Sequence, residues 1–241
     1  MKRIHVVLEA LDYNYLQEVR PPNIMLLEAH PAVSWGLGSR PSTGAYTGGM
    51  LPVCQIPDCY HRQIQINWCN PFFMTMMREW GKLFLLCGNG WSLELLLPWM
   101  DREQRALNLR WVEFKGDQLA AEEMTDYFLS NEDKYENYYA YIHFFETHYP
   151  FVAPGFPRNG QHRREALLYV DGQVGRIIRS CPDAKIVLSS DHNLPPRIVS
   201  AAFDVPSPQT MLSFIATNFR EIPKTFDGNH LEYARKVWLG G

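Results

Sequence analysis

Apolar positions along this chain come in two periods. Short continuous apolar runs, of the kind a parallel sheet buries on both faces, alternate with longer stretches whose apolar residues recur at helical spacing. Residues 4–8 form the first run and end at Glu9, which predicts a strand with an acid at its carboxyl end. Further strands are predicted over 82–87, 109–114, 138–145 and 185–190. Helices are predicted over 14–19, 72–80, 91–105 (with Pro98 as an end or kink), 118–129, 163–179 and 208–219. In the helix over 163–179, Ala166, Leu167, Val170, Val174, Ile177 and Ile178 share one side. Pro21-Pro22-Asn23 predicts another short helix over 24–29, with Asn23 as its cap and His30-Pro31 as its stop. Strand and helix in alternation predict an α/β fold: a mostly parallel central sheet with helices on both faces. Residues 50–70 read as irregular, and no internal repeat or linker stands out, so residues 1–241 are expected to form a single domain.

Two stretches carry candidate chemistry. Lys185-Ile186-Val187-Leu188-Ser189-Ser190-Asp191-His192-Asn193 reads as a buried strand that stops at Asp191 and His192. Ligands of parallel sheets bind beyond the carboxyl ends of the strands. An Asp-His pair there offers a metal one hard oxygen and one imidazole nitrogen. The same residues also suit a polar turn in which Asp191 caps the next element. The second stretch, residues 32–49, is rich in Gly, Ser and Thr, with Gly36, Gly38 and Gly44 flanking the hydroxyls and Pro41 suited to a helix's first turn. A hydroxyl at such a helix start sits among unpaired N–H groups, a place to hold an oxyanion. A flexible linker is the other reading, and Trp35, Leu37 and Tyr46 speak against it.

Composition narrows the partners more than the chemistry. With 241 residues the chain can bury a full core, and its seven Trp and twelve Tyr suit a thick core or an aromatic-walled site. A net charge of −3 gives no basic footprint for nucleic acid. The apolar part of the N-terminus is too short for a signal-peptide core, and the longest apolar stretch, 83–100, is broken by Gly88, Asn89, Gly90, Glu94 and Pro98. The expectation is a cytoplasmic protein, or a soluble domain of a larger one, without a membrane span. Five Cys without a secretion signal argue against a disulfide framework. Cys54, Cys59, His61 and Cys69 could hold a structural zinc, although their spacing is loose and free thiols are the default.

Four segments, in order, resemble the sulfatase-like branch of the alkaline phosphatase superfamily, in particular its single-metal lipoteichoic acid synthase and phosphoethanolamine transferase type. Val6-Val7-Leu8-Glu9-Ala10-Leu11 is similar to the opening strand, whose acid binds metal. Ser34-Trp35-Gly36-Leu37-Gly38-Ser39-Arg40-Pro41-Ser42 resembles the nucleophile segment, with Ser39-Arg40-Pro41-Ser42 like the sulfatase C/S-x-P-S core. Ile142-His143-Phe144-Phe145-Glu146-Thr147-His148-Tyr149-Pro150-Phe151 resembles the H-x-P-[FY] strand end, whose His contacts the substrate anion. Leu188-Ser189-Ser190-Asp191-His192-Asn193 resembles the SDHG motif, whose Asp and His bind metal. The likeness covers roughly residues 4–193.

The resemblance implies one divalent ion, Mn, Zn or Mg, held by Glu9, Ser39, Asp191 and His192. Ser39 would be the nucleophile, giving a covalent phospho-enzyme, and His148 with Arg40 would hold substrate oxygens. The substrate would be a phosphate ester, either a small molecule or a lipid head group. Asp12 competes with Glu9 for its role or caps a helix, Ser42 or Thr43 competes with Ser39, and His148 also fits a core histidine. There are departures from the family's pattern. Asn193 replaces the Gly, Thr43 stands where true sulfatases have an Arg, and Ser39 is not the Cys that most sulfatases oxidise. No Gly-Glu…His segment follows Asn193, and His230 is either its substitute or an exposed loop residue. The expected function is a metal-dependent hydrolase or phosphotransferase. The alternatives are a non-catalytic sulfatase-like binding protein and a Ser-type sulfatase.

Overall fold

The computed structural model describes residues 1–33, 83–88, 109–111, 120–191 and 212–219. Strands β1 (Lys2–Leu8), β2 (Glu28–Val33), β3 (Leu83–Cys87), β4 (Leu109–Trp111), β5 (Tyr138–Phe144), β6 (Lys185–Ser189) and β7 (Leu212–Thr217) form one sheet. Its order is β2-β7-β6-β1-β5-β3-β4. β7 pairs antiparallel to both β2 and β6, and every other pairing is parallel, so six of the seven strands run the same way. The expected α/β class with a mostly parallel central sheet is therefore observed.

Helices α1 (Tyr13–Val19), α2 (Ala120–Leu129) and α3 (Arg163–Ser180) contribute Leu16, Met124, Phe128, Leu167, Val170, Val174 and Ile177 to one apolar cluster. From the strands the same cluster takes Ile4, Val6, Leu8, Ile142, Phe144, Ile186 and Leu188, alternate residues that a period of two places on one face. The opposite face is buried as well, and it is more polar. His5, Tyr141, His143 and Ser189 are each at most 1 % exposed.

Two predicted elements are corrected. The helix over 24–29 is only a 3-10 turn, Ile24–Leu26, after which β2 runs through His30 and Pro31 instead of ending there. Proline is tolerated because β2 is an edge strand among the described residues, where a missing N–H breaks no ladder on the open side. Asn23 makes no side-chain cap bond; its backbone N–H and its amide donate to Asp171 of α3. The described part of the helix predicted over 208–219 is instead the strand β7, whose Phe214, Ile215 and Ala216 are fully buried between β2 and β6. A short buried apolar run fits either element, and pairing with two neighbours decided it. The helices predicted over 72–80 and 91–105, and Cys54, Cys59, His61 and Cys69, lie outside the described residues. Cys87 and Cys181 are buried free thiols. Among the described residues, no helix is long and apolar enough to cross a membrane.

Candidate metal centre

β6, β1 and β5 are adjacent and parallel, so their carboxyl ends open on one edge of the sheet. Each delivers one ionisable side chain there: Asp191 just after β6, Glu9 just after β1, and His143 one residue before the end of β5. One ligand atom from each lies within 4.8 Å of the others, and all three residues are buried. His143 Nε2 stands 2.5 Å from Glu9 Oε2, with both side chains at most 1 % exposed.

The backbone explains why the carboxylates stay in place. Glu9 N–H donates to the Phe144 carbonyl (3.0 Å), continuing the β1–β5 ladder one residue past the strand. Its own carbonyl accepts from the Thr147 hydroxyl at 2.6 Å. The chain then turns through Ala10, at φ 54°, a left-handed conformation that costs an L-residue about 1–2 kcal/mol. The turn points two N–H groups toward the end of β6. Ala10 N–H donates to Asp191 Oδ1 (3.0 Å) and Leu11 N–H to Ser190 Oγ (2.9 Å). The Ser213 hydroxyl of β7 in turn donates to the Ser190 carbonyl at 2.7 Å. Backbone strain held by three neighbouring strands is what a preorganised site requires.

The chemistry of this cluster suits a divalent cation. Two carboxylates and an imidazole are hard and borderline donors that together fit Zn, Mn or similar ions. Ligand atoms around one such ion, each at about 2.0–2.2 Å, lie at most about 4.4 Å apart, so a span of 4.8 Å closes with small rotamer shifts.

Of the residues the sequence singled out, Glu9 and Asp191 meet in this cluster. Asp12 does not join it: its Oδ1 caps α1 by accepting from Tyr15 N–H (2.8 Å), and its Oδ2 pairs with Arg163 (2.8 Å). His148 is half-buried in the loop after β5. Its ring stacks on Phe145 at 4.8 Å, and Nδ1–H donates to the Tyr149 carbonyl at 2.6 Å, which fixes the tautomer. Ser39, Arg40, Ser42, Thr43, His192, Asn193 and His230 lie outside the described residues. His143 lies in the segment Ile142–Phe151, whose resemblance implies a role for His148 and none for His143. Its signal was a polar residue inside a strand otherwise built to be buried on both faces.

Three further polar groups belong to this end of the sheet. Glu146 is fully buried; its Oε1 accepts from Ala121 N–H at the start of α2 (2.6 Å), while desolvation pushes its carboxyl up to about 7. Cys87, at the end of β3 and opposite His143, has its thiol pKa raised by burial and by the nearby Glu9 carboxylate. Behind His143 on the same face, His5 Nε2 lies 2.9 Å from Ser189 Oγ and Nδ1 lies 3.3 Å from the Tyr139 hydroxyl.

No protein-family model matches the chain, and no curated protein matches it by sequence. Solved structures do match its fold. A protein of the alkaline phosphatase superfamily from Vibrio parahaemolyticus has a TM-score of 0.66 at 12% identity, over 98% of this chain and 65% of that one. The phosphonate monoester hydrolase SpPMH from Silicibacter pomeroyi has a TM-score of 0.62 at 13% identity, over 100% and 73%. The lipoteichoic acid synthase LtaP from Listeria monocytogenes has a TM-score of 0.58 at 14% identity, over 89% and 64%. The chain thus spans about two thirds of the length of the Vibrio and Listeria proteins, and its fold is that of the alkaline phosphatase superfamily.

Proposed function

We propose that residues 1–241 form one catalytic domain, a metal-dependent hydrolase or transferase that acts on phosphate esters. The observation that supports this reading most is the buried Glu9–His143–Asp191 cluster at the carboxyl edge of a sheet with this fold. Glu9 and Asp191, with His192 and Ser39, are the residues that would hold the ion. A divalent ion in that position lowers the pKa of a serine hydroxyl and offsets the charge of a bound phosphate.

The residue roles follow from the chemistry. Ser39 Oγ attacks phosphorus in line, the ester's alcohol leaves, and a phosphoserine remains. Water releases it in hydrolysis, and an acceptor alcohol does so in transfer. His148 and Arg40 hold the non-bridging oxygens, where donors fixed in advance favour the developing charge. Small-molecule or lipid-head-group phosphate esters are the proposed substrate class, in keeping with the phosphonate ester and lipoteichoic acid chemistry in the names of two neighbours.

The test is turnover of aryl phosphate monoesters, aryl phosphate diesters and aryl sulfate by chelated protein, before and after adding Mn, Zn, Mg or Ca. Phosphate-ester turnover that needs the ion and falls by about 10⁴-fold or more in Ser39→Ala is expected. Unchanged turnover in Ser39→Ala would move the nucleophile to Ser42 or Thr43. Sulfate turnover above phosphate turnover would make the protein a Ser-type sulfatase. Metal binding without turnover on any ester would favour a non-catalytic relative.

A further inference from the structure

We propose that His143 is itself a metal ligand through Nε2, so that the ion is held from three neighbouring parallel strands and not from β1 and β6 alone. This inference rests on the metal-dependent reading of the site, and it gives a ligand role to a residue outside the ligand set of Glu9, Ser39, Asp191 and His192.

Three observations carry it. The first is position. His143 pairs in register with Val7 of β1 and Cys87 of β3, so its backbone is held from both sides. Gly88 N–H donates to the His143 carbonyl at 2.9 Å, and a Cβ at Gly88 would lie only 3.1 Å from that oxygen. The imidazole therefore starts from a rigid point, as a preorganised ligand should.

The second is charge. Glu9 and Asp191 each place a carboxylate oxygen within 4.8 Å of the other, in a buried setting where like charges repel more strongly than in water. A single imidazolium offsets half of that charge, and a divalent cation offsets all of it. A purely structural Glu9–His143 pair would also be a poor investment, since buried ion pairs contribute little net stability.

The third is alternation. Along this face of β5, Tyr139, Tyr141 and His143 follow one another, and the two tyrosines are large buried rings. An aromatic or aliphatic side chain would fill the place of His143 without a desolvation cost. The position instead carries a nitrogen donor aimed at the oxygen of Glu9, at 2.5 Å.

A second imidazole beside His192 moves the site further from the oxygen-rich sets that suit Mg and Ca and toward later first-row ions such as Zn and Co. The wild-type chain is expected to bind Zn²⁺ and Co²⁺ well ahead of Mg²⁺.

The experiment is calorimetric titration of the chelated full chain with Zn²⁺ and Co²⁺, together with the visible absorption of the Co²⁺ form. Wild type, His143→Ala and His143→Gln are compared, each checked for folding by circular dichroism. Gln keeps an N–H that can donate to Glu9 but is a far weaker ligand. If His143 is a ligand, both variants lose more than about 100-fold in affinity, beyond what outer-sphere partners cost, and the Co²⁺ spectrum changes. If His143→Gln binds like wild type with the same spectrum, His143 only orients Glu9 and the proposal fails, while the metal site itself stands. If His143→Ala does not fold, the Gln variant alone decides. Failure of wild type to bind either ion would overturn this inference and the metal-dependent function together.

Discussion

On one face of the sheet, Ile4, Val6, Leu8, Ile142, Phe144 and Leu188 meet the helices in an apolar cluster. One residue along, on the other face, His5, Tyr141, His143 and Ser189 are buried just as completely. The strands are the same and the exposure is the same, yet one face is built from hydrocarbon and the other from hydrogen-bonding side chains. Apolar burial stabilises at roughly 25 cal/mol per Å². Polar burial at best breaks even and specifies geometry. The difference suggests that the first face supplies the stability that lets the second hold a charged cluster at its edge.

Substitutions on the two faces should therefore separate stability from metal binding. The largest expected loss of stability is on the apolar face. Phe84 packs edge-on against Phe128, Tyr135 and Tyr138, and Phe84→Ala should cost about 3–5 kcal/mol, measured by urea unfolding. Metal affinity of the molecules that remain folded should be unchanged. A large drop in that affinity would mean the faces are coupled through the strands.

Next comes Glu146, whose carboxyl sits on the helix side of the sheet's edge. Burial raises its pKa from 4.5 to about 7, so the folded chain holds this proton more tightly than the unfolded one. Its favourable contribution is complete below about pH 4.5 and is lost as pH rises through about 7. Gln keeps the acceptor for Ala121 N–H and cannot ionise. Glu146→Gln should therefore match wild type near pH 4 and exceed it by up to about 3 kcal/mol at pH 8. Equal pH dependence in the two proteins would show that Glu146 does not titrate in this range.

The smallest effect is expected where the two regions touch. Thr147→Val removes the hydroxyl bond to the Glu9 carbonyl and should cost about 1 kcal/mol of stability. Because that bond holds the exit of β1, metal affinity should fall by roughly 10-fold. A loss of stability without a loss of affinity would show that Thr147 is structural only.

These contrasts also explain what could be read from the sequence. β1, β5 and β6 were legible because central parallel strands are continuously apolar, and the amphipathic α3 was legible from its period. β7 and β2 were misread because a short apolar run and a Pro-containing segment take their state from pairing partners far along the chain. Glu9 and Asp191 stood out because they end apolar runs. His143 did not, because its meaning depends on the register Val7–His143, which places it beside Glu9 across 134 residues of sequence. The same holds for Ala10, whose left-handed backbone is fixed by the bonds that Ala10 and Leu11 N–H donate to Asp191 and Ser190 and not by its own preference.

Everything proposed above turns on a divalent ion held by the strand ends of β6, β1 and β5. The most direct test is metal titration of the chelated wild-type chain against Asp191→Asn, which keeps an oxygen for Ala10 N–H and loses the charge. Close to one equivalent of Zn²⁺ or Co²⁺ is expected on wild type, with a rise in Tm, and an affinity weakened by more than about 100-fold in a folded Asp191→Asn. Folded wild type that gives neither heat nor a Tm shift with Zn, Co, Mn or Mg, or an Asp191→Asn variant that binds as tightly as wild type, would contradict it.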